Sequence, residues 1–168
     1  MGTRNSDRTG GSGDRVTADG RPLTRAEQAL AASMFGDAIA YDRVRINNRK
    51  WWPFQPRAVT MAPDGHLWFH PKGDLFCDDF CATPLDRQGL FIHEMTHVAQ
   101  TARGGRWYLP LMRHPFCRYD YSITPGKPFH SYGLEQQAEI VRHAFLMRRG
   151  LTIPGKPPLA VYEALLPY

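Results

Sequence analysis

A long helical segment with sharp ends is the strongest structural signal in this sequence of 168 residues. Thr83-Pro84 supplies an N-cap residue and then proline at the first helical position, and Gly104-Gly105 supplies a stop. The stretch between these signals is long enough for about five helical turns. It contains the apolar run Leu90-Phe91-Ile92, followed by His-Glu-Met-Thr-His at positions 93–97. We therefore predict a helix that packs into the core through Met95 and Val98.

Upstream of this segment, the patterns predict one helix and a short strand. Thr24 and Glu27 have capping-box spacing at the start of an amphipathic helix that ends near Gly36. Residues 41–46 alternate with a period of two, which is typical of a strand.

Turn chemistry and aromatic residues mark the next region. Residues 58–62 and 66–70 flank Pro63-Asp64-Gly65, which predicts a β-hairpin and hence a small antiparallel sheet. Trp51-Trp52-Pro53-Phe54 lies in a proline-broken loop, where clustered aromatics can wall a pocket or plug a core. We favour the plug.

The remaining patterns complete a single-domain α+β prediction. Residues 1–22 contain almost no large apolar side chain and are expected to be a disordered tail. Residues 106–130 are predicted to have no regular secondary structure. A second strong helix is predicted to begin at Glu135 and to end before Gly150. The predicted domain is residues 23–168, with a small antiparallel sheet before the two strong helices.

Charge and hydrophobicity exclude several classes of partner. The net charge of +5 is spread thinly along the chain, so a nucleic-acid partner is not expected. No segment approaches the roughly 20 apolar residues that span a bilayer, and the first 22 residues do not resemble a signal peptide. We therefore expect no membrane span, and a chain that is cytoplasmic as synthesised.

The three cysteines are too few for a disulfide scaffold, and an odd number fits a reducing compartment. Buried thiols are the favoured interpretation of Cys77, Cys81 and Cys117. One disulfide, or a second metal site that Cys77 and Cys81 form with His70 or Cys117, is the alternative.

The His-Glu-x-x-His pattern predicts metal chemistry. On a helix, His93 and His97 lie one turn apart on one face, with β-carbons about 5–6 Å apart, so both imidazoles can bind one ion. A catalytic zinc has three protein ligands and an open position for water, so one more ligand is required. Glu94 is turned by about 100° and is positioned to act as the general base on that water. Two solvated histidines on an ordinary helix are the alternative.

The third ligand is expected from the second helix, where Glu135 and Glu139 are four residues apart on one face. An ordinary solvated charged face is the alternative. Here the sequence resembles the gluzincins, whose second helix carries a ligand Glu followed four residues later by an acid that hydrogen-bonds a ligand His. The resemblance implies that Glu135 binds zinc and that Glu139 supports a ligand histidine. The later acid is Glu in this chain, where Asp is more familiar.

A narrower resemblance rests on Phe35-Gly36-Asp37, on Leu67-Trp68-Phe69 in the hairpin, and on the run from Gly89 to Gln100. These segments resemble the small zincin-like domain of bacterial contractile-injection-system and polymorphic-toxin proteins, including spike-related proteins. The likeness covers residues 30–102 and, more weakly, 130–149. It implies a zinc metallopeptidase that is associated with a secretion apparatus and exported by a contractile system.

The predicted function is hydrolysis of peptide bonds in a peptide or protein substrate by zinc-activated water. Tyr132, His143 and His130 are candidates to stabilise the oxyanion, because they are near Glu135 in the sequence; packing or surface roles are the alternative. The strand that ends at His70 is expected to receive an extended peptide.

Two other functions compete with this prediction: a non-proteolytic zinc-stabilised docking module of a secretion apparatus, and an amidase that cuts peptidoglycan cross-links. A structural zinc site would have no use for Glu94, which favours an enzyme. Against the amidase, no segment of the sequence resembles an export signal.

Overall fold

The computed structural model describes residues 20–105 and 119–168. In chain order its elements are β1 (Arg21–Pro22), α1 (Arg25–Phe35), β2 (Arg45–Asn47), β3 (Leu67–Trp68), α2 (Leu85–Gly104), α3 (Leu134–Arg148) and α4 (Leu159–Leu165). Short 3₁₀ turns lie at Tyr41–Arg43, Phe80–Ala82 and Phe129–Ser131. Helices with a small sheet confirm the predicted α+β class.

The sheet has three strands in the order β1-β2-β3. β1 pairs with β2 in antiparallel register, with Arg21 opposite Ile46. β2 pairs with β3 in parallel register, with Ile46 opposite Leu67. The sheet is therefore mixed, whereas the hairpin pattern predicted antiparallel pairing alone. The predicted hairpin contributes a single antiparallel bridge, between Met61 and Trp68.

The strand predicted over residues 41–46 begins later than expected. Residues 41–43 form a 3₁₀ turn, in which the amide of Val44 donates to the carbonyl of Tyr41 at 3.2 Å. The Tyr41 hydroxyl donates to the carbonyl of Gly36 at 2.6 Å and ties this turn to the end of α1. These local hydrogen bonds override the alternating pattern, and the strand occupies residues 45–47.

The N-terminal edge of the domain is held by Glu27, which is fully buried. Its carboxylate accepts two hydrogen bonds from the Arg21 guanidinium, both at 2.8 Å, and one from the Phe80 amide at 2.9 Å. The predicted capping box with Thr24 is confirmed. Residues 21 and 22, which the sequence placed in the tail, thus belong to the folded domain. Residues 1–19 of that predicted tail lie outside the described residues.

The predicted helix that carries the motif is confirmed as α2, with Pro84 rather than Thr83 at the N-cap position. Every residue from Phe91 to Thr101 is buried, so this helix runs through the centre of the domain. It packs mainly against α3, which confirms the second predicted helix. Gly89 permits close approach there, since a β-carbon at this position would lie 3.1 Å from the Leu146 side chain.

Aromatic side chains fill the space between the sheet and the helices. Phe80 stacks on Phe91, with ring centroids 5.2 Å apart, and lies 5.6 Å from Phe69. α4, which the sequence patterns did not predict, adds the buried Tyr162 against α3. No helix among the described residues is long and apolar enough to cross a membrane.

The predicted aromatic plug at residues 51–54 is wrong. Trp51 and Trp52 are 40% and 41% exposed, and Phe54 is 79% exposed. Leu67, Trp68 and Phe69, further along the chain, are buried in the core instead.

Candidate metal centre

Two neighbouring helices bring three predicted ligands together. α2 carries His93 and His97 one turn apart, with ring centroids separated by 5.1 Å. α3 supplies Glu135 from its first turn. One ligand atom from each residue lies within 4.8 Å of the others, and all three side chains are buried. This buried His-His-Glu group can hold a metal ion.

Hydrogen bonds fix which nitrogen of each imidazole faces the group. The Nδ1 atom of His93 lies 2.8 Å from Oε1 of Glu139, and a carboxylate oxygen accepts a hydrogen bond. The Nδ1 atom of His97 lies 2.8 Å from Oε1 of Gln100. The Gln100 amide nitrogen donates to the carbonyl of Leu134, which fixes the amide orientation. In the neutral form of each imidazole, Nδ1 therefore carries the hydrogen and Nε2 presents a lone pair.

These lone pairs converge on one carboxylate oxygen. Oε2 of Glu135 lies 3.2 Å from Nε2 of His93 and 3.3 Å from Nε2 of His97. Nε2 of His97 has no hydrogen-bond partner among the described residues. When both imidazoles are neutral, three acceptor atoms face one another in this buried site, and they repel each other unless a proton or a metal ion lies between them. The donor set of two imidazoles and a carboxylate matches zinc.

The carboxylates also control protonation of His93. Burial lowers the pKa of His93, but hydrogen bonds to Glu135 and Glu139 outweigh that effect and raise it to about 9. Burial raises the pKa of Glu139, whereas its hydrogen bond to His93 and the charges of His93, Arg142 and His143 lower it to about 2. Glu139 is therefore ionised at neutral pH and favours a positive charge on the His93 side, which a proton or a metal ion can supply.

A cleft of about 240 Å³ opens beside this group. His93 and Glu94 line it from α2, and Glu139 and Arg142 line it from α3. Residues 58–60 also line it. Glu94 is buried, and its Oε2 atom has no hydrogen-bond partner among the described residues. An unpartnered carboxylate oxygen beside the ligands suits a group that takes a proton from water.

The strand expected to receive a peptide is already paired. The Trp68 amide donates to the Met61 carbonyl at 2.8 Å, and the Trp68 carbonyl accepts from the Met61 amide at 3.1 Å. β3 is thus covered on one side by β2 and on the other by the segment around Met61. The main chain that borders the cleft is residues 58–60 rather than the strand leading to His70.

The structure does not bring the predicted oxyanion-stabilising residues to the cleft. The Tyr132 hydroxyl accepts from the Thr124 amide at 3.0 Å and lines a separate pocket with Lys127. His143 lies behind Glu139, with 3.6 Å between Nε2 and the carboxylate, and its other nitrogen contacts the Tyr121 hydroxyl. His130 is exposed. Two other side chains that can donate a hydrogen bond to an oxyanion, those of Arg142 and Tyr119, line the cleft.

Sequence reasoning missed Gln100, which orients His97 as Glu139 orients His93. Its position three residues after His97 on the same helix was the available signal. The predicted cysteine chemistry is tested in part: Cys77 and Cys81 are free, partly buried thiols, and burial raises the pKa of Cys81 to about 11. Cys117 lies outside the described residues.

Comparison with known proteins links the chain to a secretion system. No family model matches it. The chain is 39% identical, over 133 residues, to the type VI secretion system spike protein VgrG2b of Pseudomonas aeruginosa strain PAO1. The matched region is 76% of this chain but 13% of that spike protein. The chain therefore spans about an eighth of the length of its curated relative.

A solved structure gives the more complete match. The fold is similar to the effector domain of Pseudomonas aeruginosa VgrG2b, with a TM-score of 0.70 and 35% sequence identity. The alignment covers 88% of this chain and 82% of that domain. The likeness is therefore to the effector part of the spike protein.

Proposed function

This chain belongs to the family of the VgrG2b effector domain, and we propose that it is a zinc-dependent peptide hydrolase of the zincin type, delivered by a contractile secretion system. The observation that carries the proposal is the buried His93-His97-Glu135 group with Glu94 beside it, whose Oε2 atom has no hydrogen-bond partner among the described residues. A module that used zinc only for stability would not need a buried carboxylate with such an oxygen at the same place.

In this proposal the residues have distinct roles. His93, His97 and Glu135 would hold the zinc, which when bound supplies a Lewis acid for the scissile carbonyl and lowers the pKa of water. The Glu94 carboxylate would accept a proton from the attacking water and donate it to the leaving amine.

Other side chains keep this machinery in place. Glu139 and Gln100 accept hydrogen bonds from Nδ1 of the two histidines and keep the opposite nitrogens directed inward. Arg142 lies in the cleft beside Glu139, where its guanidinium can donate to a substrate carbonyl oxygen.

A second candidate is favoured by a specific observation. The matched relative is a spike protein, and its effector domain is the region to which the chain is similar. These descriptions establish a secretion-system link and name no reaction. A non-proteolytic, zinc-stabilised docking module would fit them equally well. A peptidoglycan amidase uses the same metal chemistry on a different amide.

One set of measurements separates these functions. The purified chain should contain about one zinc per molecule and should cleave members of a peptide library, with the activity lost on chelation. Glu94→Gln should retain zinc and thermal stability but lose cleavage, because an amide does not accept the proton. Glu163→Gln, at an exposed carboxylate on α4, is the matched control.

The outcomes distinguish the candidates. Stoichiometric zinc with no cleavage of peptides or cross-linked muropeptides would favour the docking module. Cleavage of muropeptides alone would favour the amidase. Wild-type cleavage by Glu94→Gln would refute the proposed mechanism.

A further inference from the structure

The largest cluster of exposed apolar side chains lies in one short segment. Seven large hydrophobic residues are exposed among those described, and four of them fall within residues 51–59. Trp51, Trp52 and Phe54 are the most prominent, and the rings of Trp52 and Phe54 pack edge to face at 5.7 Å. We define residues 50–57 as the aromatic loop. Exposed apolar side chains that are clustered rather than scattered mark an interaction surface.

The aromatic loop is fixed in its exposed position by a buried amide. Gln55 is 3% exposed, and its Nε2 atom donates to the carbonyls of Val59 at 2.8 Å and Trp68 at 3.0 Å. Its Oε1 atom accepts from the Trp51 amide at 2.9 Å. These bonds join the loop to the edge of the sheet. The aromatic side chains are therefore held outward before any partner binds, which reduces the entropy that binding must overcome.

Positive charge is concentrated around the same loop. Between Asp42 and Asp64 the sequence contains five basic residues and no acidic residue. The Lys50 ammonium donates to the Pro53 carbonyl at 2.6 Å, within the loop itself. Lys50, Arg57 and Lys72 all lie close enough to the His70 imidazole to lower its pKa, after the larger effect of desolvation. We call these three residues the cationic rim.

The cationic rim is free to bind anions. All three side chains are exposed, and none forms an ion pair within the described part of the chain. The turn that carries Lys72 packs directly on the loop, since a β-carbon at Gly73 would lie within 3 Å of the Arg57 carbonyl. Aromatic side chains and positive charges are therefore presented on one rigid surface.

We propose that the aromatic loop and its cationic rim bind the surface of an anionic phospholipid bilayer. Tryptophan is enriched at membrane interfaces, where its ring is partly in apolar and partly in polar surroundings. Basic side chains nearby are attracted to the negative potential of anionic headgroups, at about 1 kcal/mol each. The chain would lie on the membrane without spanning it.

This surface continues into the metal cleft. Val59, at the end of the exposed cluster, also lines the cleft together with His93. Membrane binding would thus position the opening of the cleft at the lipid surface. The proposal does not rest on hydrolysis, because vesicle binding is measured on the chain whether or not it cleaves peptides.

The test uses the full chain of 168 residues and vesicles of phosphatidylethanolamine with phosphatidylglycerol, compared with vesicles of phosphatidylcholine alone. Cosedimentation should show binding to the anionic vesicles that weakens with added salt, and little binding to phosphatidylcholine. The triple variant Trp51→Ala, Trp52→Ala, Phe54→Ala should bind about tenfold or more weakly, because it removes the aromatic area that the membrane would bury. Lys72→Ala should lose about fivefold, the equivalent of about 1 kcal/mol.

Matched controls remove equivalent side chains elsewhere on the surface. Leu151→Ala with Val161→Ala removes exposed apolar groups outside the loop, and Arg25→Ala removes an exposed charge on α1; both should bind vesicles as the parent chain does. Circular dichroism and thermal melting should show every variant folded.

Two results would overturn the proposal. One is no binding of the parent chain to anionic vesicles at low salt, or equal loss in the control variants. The other is vesicle binding that survives the triple variant while KM for a cleaved peptide rises, which would assign the loop to peptide substrates instead.

Discussion

Removal of each α3 carboxylate should reveal which of the two binds the metal. In our interpretation Glu135 is a ligand and Glu139 supports His93 from behind. A structural zinc site has an apparent binding free energy of about 10–16 kcal/mol. Shared equally among four ligands, this is about 2.5–4 kcal/mol of binding free energy for each ligand. At 1.4 kcal/mol per tenfold, Glu135→Ala should weaken zinc by roughly 10²–10³-fold.

Glu139→Ala should have a smaller effect. Its carboxylate lies 2.8 Å from Nδ1 of His93, on the side of the ring that faces away from Glu135. Loss of such a supporting hydrogen bond typically costs about 10–100-fold in metal affinity. Glu139→Gln retains an acceptor oxygen and should cost less than Glu139→Ala.

The assay is competition for zinc against a chromophoric chelator of known affinity, with thermal melting to show that each variant is folded. Glu163→Ala, which removes an exposed carboxylate on α4, is the control and should bind zinc as the parent chain does. A larger loss for Glu139→Ala than for Glu135→Ala would refute the assignment. So would a zinc-bound crystal structure with Glu139 within about 2.2 Å of the metal and Glu135 remote.

Three further outcomes are expected. Gln100→Ala should weaken zinc by about 10–100-fold in the same competition assay, because Nδ1 of His97 loses its acceptor, and unchanged affinity would remove Gln100 from the site. Glu27→Ala should lower the free energy of unfolding in urea by about 3–5 kcal/mol, because it leaves the partly buried Arg21 guanidinium without its carboxylate partner. A loss no larger than that of Glu163→Ala would show that the ion pair between Arg21 and Glu27 is unimportant. In the metal-free protein, the raised pKa of His93 contributes stability that is complete below the ordinary histidine pKa of 6.5 and is lost as the pH rises through about 9. The melting temperature should therefore fall between these two pH values. His93→Gln should abolish this part of the fall.

The sequence by itself determined the helices and the spacing of the predicted ligands. The capping box of α1, the glycines that follow α1, α2 and α3, and the apolar periodicity of these helices all act within a few residues. The one-turn separation of His93 and His97 is also a property of the helix alone. Local hydrogen bonds and steric limits are fixed by neighbouring residues, so they are readable from the sequence.

The tertiary structure decided what depends on distant partners. The parallel pairing of β2 with β3 joins segments about twenty residues apart, and the turn chemistry between them indicated only the antiparallel bridge. Gln55 holds the aromatic loop outward through the distant carbonyl of Trp68, so the same aromatic pattern that suggests a plug forms an exposed surface. The approach of α3 to α2, which brings Glu135 to the two histidines, is set by packing along the whole helix pair and not by any local pattern.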